Sequence, residues 1–193
     1  MVRFPFVPGE PRRYPAQVMI TLKAETKTWL GTSDDCPSDL CAHGTVRFSV
    51  DGMTVVTPDD EWTISAAAIY LLRTLKNNHT PETPVGEHLF PCCGFTMYDM
   101  DGDDDVLIMG CLNGIDCSVL HRGESVDITT LAGETRSVSR TEWENAVLHF
   151  SADVRSFYDG SADKTPYDDV QRKGFAKMMS EWERRHPRPE RAG

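Results

Sequence analysis

Residues 46–56 read Val46-Arg47-Phe48-Ser49-Val50-Asp51-Gly52-Met53-Thr54-Val55-Val56. Apolar and polar side chains alternate on both sides of Asp51-Gly52. That alternation is the period of a half-buried strand, and Asp-Gly tolerates the positive φ of a two-residue hairpin turn. An antiparallel hairpin is therefore predicted here. An earlier strand is predicted over about Gln17–Leu22, where Val18, Ile20 and Leu22 alternate with Gln17, Met19 and Thr21. Residues 31–44 read as a loop by composition.

Downstream, Ile64, Ala68, Leu71, Leu72 and Leu75 fall on one face of a predicted helix over Thr63–Asn77, with Asp59, Asp60 and Glu61 at its start. A β meander is expected next. Its strands are Phe95–Tyr98 and Val106–Cys111 around an acidic turn, then Cys117–His121, Val126–Leu131 and Thr135–Val138, with Asn113-Gly114 as a hairpin turn. Thr141-Glu142-Trp143-Glu144 has the form of a capping box. Trp143, Val147, Phe150, Val154 and Phe157 then mark an amphipathic helix. Phe175, Met178, Met179 and Trp182 mark a second, over Asp169–Arg185. Strands, helix, strands and two final helices predict one α+β domain over 1–193, its sheet mainly antiparallel, packed by about three helices. The proline-rich residues 1–15 read as an extended arm, and the basic residues 186–193 as a flexible tail.

The chain carries 20 Lys and Arg against 30 Asp and Glu, a net charge of −10. Residues 1–30 hold five basic and two acidic side chains, and residues 170–193 hold seven and three, so the segment between carries −17. Such a body repels nucleic acid and anionic membrane and attracts basic proteins. Neither a long apolar run nor an export signal is visible, so a cytoplasmic chain is expected, as a monomer or homodimer. No glycine-rich phosphate loop follows a strand, and no cofactor is implied.

The six cysteines are Cys36, Cys41, Cys92, Cys93, Cys111 and Cys117. With no export signal, free thiols are expected rather than a disulfide framework. The meander would bring Cys93, Cys111 and Cys117 onto neighbouring strands near His121, a candidate metal set. Adjacent Cys92 and Cys93 should point to opposite faces. Cys36, Cys41 and His43 lack a fourth ligand. A nucleophilic constellation of Cys92 or Cys93 with His88 or His121 and Asp116 is conceivable but unsupported by spacing. In the turn Asp99-Met100-Asp101-Gly102-Asp103-Asp104-Asp105 the glycine falls at the wrong place for a calcium loop. Asp99, Asp101, Asp103, Asp104 and Asp105 are instead the candidate contacts for a basic partner.

Pro91-Cys92-Cys93-Gly94-Phe95 and Gly110-Cys111-Leu112-Asn113-Gly114-Ile115-Asp116, with the Trp143 and Trp182 helices, resemble a family of short uncharacterised bacterial proteins over about residues 62–186. The resemblance implies a bacterial single domain and transfers no activity. These features favour a non-catalytic, acidic protein-binding module, such as an immunity protein that neutralises a basic toxin or nuclease. The alternative is an enzyme or zinc-binding protein using the Cys92/Cys93/Cys111/Cys117 region.

Overall fold

A computed structural model describes residues 19–31, 36–94 and 96–186. The predicted arm over 1–15 and residues 187–193 of the predicted tail lie outside these residues. The Asp-Gly hairpin forms as read: β2 (Gly44–Val50) pairs antiparallel with β3 (Met53–Val56), Val50 opposite Met53. Asp51 and Gly52 take φ of 45° and 78°, the positive values such a turn requires. β1 (Ile20–Ala24) lines the other side of β2, and β4 (Glu61–Trp62) pairs with the start of β2. Gln17 and Val18 of the predicted first strand lie outside the described residues, and Ile20–Leu22 fall within β1, which continues to Ala24.

The acidic run before the first helix is not its N-terminal charge. Glu61 belongs to β4, and the first turn of α1 (Ile64–Arg73) holds no acid. Nor is α1 one-faced. Every residue from Ile64 to Leu72 is buried. A helix apolar on all sides belongs inside a core, and the Ala66-Ala67-Ala68 run lets neighbours approach closely. It packs on β2, on β5 (Phe90–Pro91), and on the two C-terminal helices α2 (Arg140–Asp159) and α3 (Asp169–Arg185).

The second half corrects the single meander. Only β9 (Cys117–Arg122), β10 (Ser125–Thr130) and β11 (Thr135–Ser139) run as one. β6 (Thr96–Tyr98) and β7 (Leu107–Met109) form a separate hairpin around the acidic turn. Asn113-Gly114 closes no hairpin with β9. Gly114 and Ile115 form β8, which turns back to pair with Pro91 and Phe90 of β5. Local turn chemistry marks where a chain can bend but not which strand it then joins. The cap of α2 also shifts. Ser139, the last residue of β11, caps the helix, its Oγ accepting from the Glu142 N–H while the Glu142 carboxylate accepts from the Ser139 N–H. Ser139-x-x-Glu142 and Thr141-x-x-Glu144 fit the same pattern. The pairing of Ser139 with Ser125 decides between them, because the helix starts directly where the strand ends.

A buried ionic assembly centred on Glu181 crosses the core. Glu181 of α3 is 0% exposed. Its Oε1 accepts from Arg73 Nε (2.8 Å) and Arg185 Nε (2.7 Å), and its Oε2 from Arg73 Nη2 and the Val106 N–H (both 2.8 Å). Arg73 closes the last turn of α1 and also donates to the carbonyls of Val85 and Val106. Asp105, just before β7, binds Arg184 and Arg185. Partial burial raises the Asp105 pKa, but the bonds from Arg185 and Arg184 outweigh it and pull the group down to about 2.

Removing one member of a buried pair leaves an uncompensated charge, at a cost of about 3–5 kcal/mol. Glu181→Leu is therefore expected to destabilise the chain by about that amount in urea titration, whereas a solvent-facing control, Glu144→Leu, should stay within about 0.5 kcal/mol. For Asp105 the folded pKa lies below the unfolded one. Its contribution is complete above about pH 4 and fades as the pH falls toward 2. The melting temperature of Asp105→Asn should accordingly fall less than that of the parent chain between pH 4 and 2.

Candidate functional site

Two features of the β6–β7 hairpin bear on function: its acidic tip and the thiols at its base. The hairpin is fixed to α3 along its length. At its base, a Cβ at Gly174 would lie 1.9 Å from the Met97 carbonyl oxygen, so only glycine lets α3 approach β6 this closely. Tyr70 of α1 donates to the Ile108 carbonyl from the core side (3.3 Å). Around the tip, Lys177 pairs with Asp99 (3.1 Å) while Arg184 and Arg185 hold Asp105.

The five candidate aspartates thus divide. Asp99 and Asp105 face α3 and fix the turn, and Asp103 Oδ1 accepts from the Asp105 N–H (2.9 Å). Asp99, Asp101, Asp103 and Asp104 are exposed, and Asp105 is partly buried. Beside them runs an apolar strip. Leu107 and Met109 alternate with buried Ile108 and are 43% and 48% exposed, with Met100 at 48% and Leu112 at 82%. Composition alone could not show this strip, because Leu and Met in a strand ordinarily imply core; the alternation around Ile108 is the signal that was available.

At the hairpin base, the sulfurs of Cys92, Cys93 and Cys111 lie within 4.8 Å of one another. This revises the predicted set. Cys93 and Cys111 do meet, but Cys117 and His121 are elsewhere, and Cys92 joins. Cys117 opens β9 opposite Thr130 and is buried in the core. His121 Nε2 donates to the Thr74 carbonyl (2.7 Å). The alternation rule fails for Cys92 and Cys93 because β5 ends at Pro91 and the chain bends immediately after it. The Cys92 N–H donates to the Asn113 carbonyl (2.9 Å), so the segment after β7 folds back over the bend. Gly110 makes that return possible: a Cβ there would lie 1.8 Å from the Cys93 carbonyl oxygen. The Cys111 N–H then donates to Cys93 Sγ (3.1 Å). Hydrogen bonds with the Cys93 thiol and the Asn113 backbone lower the Cys111 pKa, while the bond to Cys111 and partial desolvation raise those of Cys92 and Cys93.

Among the described residues neither His88 nor His121 joins the thiol cluster, although His88 Nδ1 lies 3.9 Å from Asp116 Oδ2. His88 Nε2 donates to the Leu112 carbonyl (3.0 Å). Asp116 Oδ1 accepts from His79 Nε2 (2.8 Å) and the Leu89 N–H (3.1 Å). Because His79 Nδ1 accepts from the Val85 N–H (3.1 Å), its Nε2 carries the proton, and the Asp116–His79 pair is a buried tie between the β8–β9 link and the loop before β5. Cys41 is equally structural: it is buried and donates to the Gly94 carbonyl, and His43 lies 3.6 Å from Asp39. A hollow of about 720 Å³ between β1 and α2 is lined by Met19, Ile20, Leu22, Asn145 and His149, and by Glu142, whose carboxylate is held in the cap. Among the described residues no helix is long and apolar enough to cross a membrane. No protein-family model matches the chain, and neither a curated protein nor a solved structure shows significant similarity to it.

The thiols differ in accessibility, which sorts them chemically. Burial pushes the pKa of Cys41 and Cys117 far up, so both are inert in the folded chain. In metal-free protein at neutral pH, iodoacetamide followed by peptide mass mapping should modify Cys92, Cys93 and Cys111. Cys41 and Cys117 should react only after addition of denaturant; labelling of either in the native chain would contradict the packing described.

Proposed function

We propose that the chain is an acidic, non-catalytic protein-binding module whose contact surface is the β6–β7 hairpin. One observation carries this reading: exposed Met100, Leu107 and Met109 share a hairpin with exposed Asp101, Asp103 and Asp104, and exposed Leu112 follows it. Exposed apolar side chains beside exposed aspartates suit a basic partner, with the apolar side chains supplying desolvation and the aspartates supplying orientation and encounter rate. The ties to α3 support the same reading, because a surface held rigid before binding loses little entropy on association. A net charge of −10 favours a basic partner. A basic toxin or nuclease, capped as an immunity protein caps its target, is the partner class we infer.

The test is affinity capture from a lysate of the native source, with two double variants beside the parent chain. Asp101→Asn/Asp104→Asn removes charge, and Met109→Ser/Leu112→Ser removes apolar surface. All four positions are exposed and leave the Asp105 ties intact. A captured basic protein should be held at low salt, released near 0.5 M salt, where the Debye length is under about 5 Å, and bound at least about tenfold more weakly by each variant. Capture that is equal across parent and variants would refute the hairpin as the contact surface.

A further inference from the structure

The geometry points to a metal site at Cys92, Cys93 and Cys111: a thiophilic divalent cation of the zinc class, held by three cysteine sulfurs with its fourth position open to solvent. It is independent of the partner-binding reading.

Spacing supports it first. A zinc–sulfur bond is about 2.3 Å, so tetrahedral ligation sets its sulfurs about 3.8 Å apart. The three sulfurs here are already within 4.8 Å of one another. Closing the remaining distance asks for side-chain rotation of about 1 Å. The backbone around the cluster is fixed by features separate from the thiols. These are the β5–β8 pairing, the Cys92 N–H bond to the Asn113 carbonyl and the close approach of Gly110 to Cys93.

The donor chemistry is the second support. Soft thiolates prefer zinc and monovalent copper over magnesium or calcium. The Cys111 N–H that donates to Cys93 Sγ is the kind of bond that holds a thiolate ligand in orientation beneath a metal. The third is the fourth position. Among the described residues no other His, Cys, Asp or Glu joins the cluster, and Cys92 is exposed. Three protein ligands and one exchangeable position is the pattern of an open zinc site, where structural sites are closed by four. On binding, three S–H protons pass to solvent as three S–metal bonds form. A divalent ion with three thiolates then carries a net −1, which exposure to water accommodates.

The experiment uses the full chain, reduced and handled without oxygen, titrated with Co²⁺ and then Zn²⁺. Co²⁺ should bind one equivalent and give the sulfur-to-cobalt charge-transfer absorption and intense visible bands of tetrahedral thiolate ligation. Zn²⁺ should bleach them. Cys92→Ser, Cys93→Ser and Cys111→Ser should each weaken binding at least tenfold, with circular dichroism and melting temperature confirming that each folds. Cys36→Ser, outside the cluster, should bind like the parent. Binding without charge-transfer absorption, or equal binding by all four variants, would overturn the site. So would failure of the reduced parent chain to bind Co²⁺.

Discussion

Glu181 is the constraint on which the rest of the structure depends. A carboxylate buried to 0% exposure is tolerable only when each lone pair is met, and four donors from three parts of the chain meet it: Arg73 of α1, Arg185 of α3 itself and the backbone of Val106. Arg73 in turn satisfies the carbonyls of Val85 and Val106. The assembly therefore fixes the end of the central helix, the loop before β5 and the entry to β7 relative to α3. An apolar core can slip by small amounts with little penalty. A fully satisfied ionic one has a single geometry.

That single geometry accounts for the character of the β6–β7 hairpin. A two-stranded hairpin is marginal by itself in water. Here it is tied to α3 by Glu181, Lys177, Arg184 and Arg185, and to α1 through Tyr70. With its inner face so held, the outer face can present leucine and methionine to solvent without collapsing inward. The acidic turn has two roles. Asp99 and Asp105 pair with basic side chains of α3, and Asp101, Asp103 and Asp104 extend the exposed acidic surface. The thiol cluster at the other end follows from the same folding back, since the chain leaving β7 must pass over the bend after β5 before it can begin β8.

Several elements were legible in the sequence. The Asp51-Gly52 hairpin, the Asp169–Arg185 helix and the C-terminal apolar stripes are set by local chemistry: positive-φ tolerance, capping and helical period. Glu181 was not legible, because an acid within a basic helix end reads as solvated, and only long-range contact reveals that it faces inward. The buried helix α1 read as amphipathic because its alanines are silent in a pattern of large apolar residues. The thiol set was half legible. Cys93 and Cys111 follow from the hairpin, but Cys92 required the bend after Pro91. Cys117 required knowing that β9 pairs with β10 rather than with the strand before it.

The sequence by itself determined the class of fold, the Asp51-Gly52 turn and the three helices, the net acidity of the chain and the set of residues from which any site must be built. These are short-range properties, decided by backbone preference and periodicity over a few residues. Tertiary structure decided which strands pair, which aspartates of the acidic turn meet basic side chains of α3 and which three of six cysteines meet. Those outcomes depend on contacts between residues far apart in the chain, such as the 108-residue separation of Arg73 and Glu181. No local pattern encodes such a distance, because its energy exists only once the intervening chain has closed.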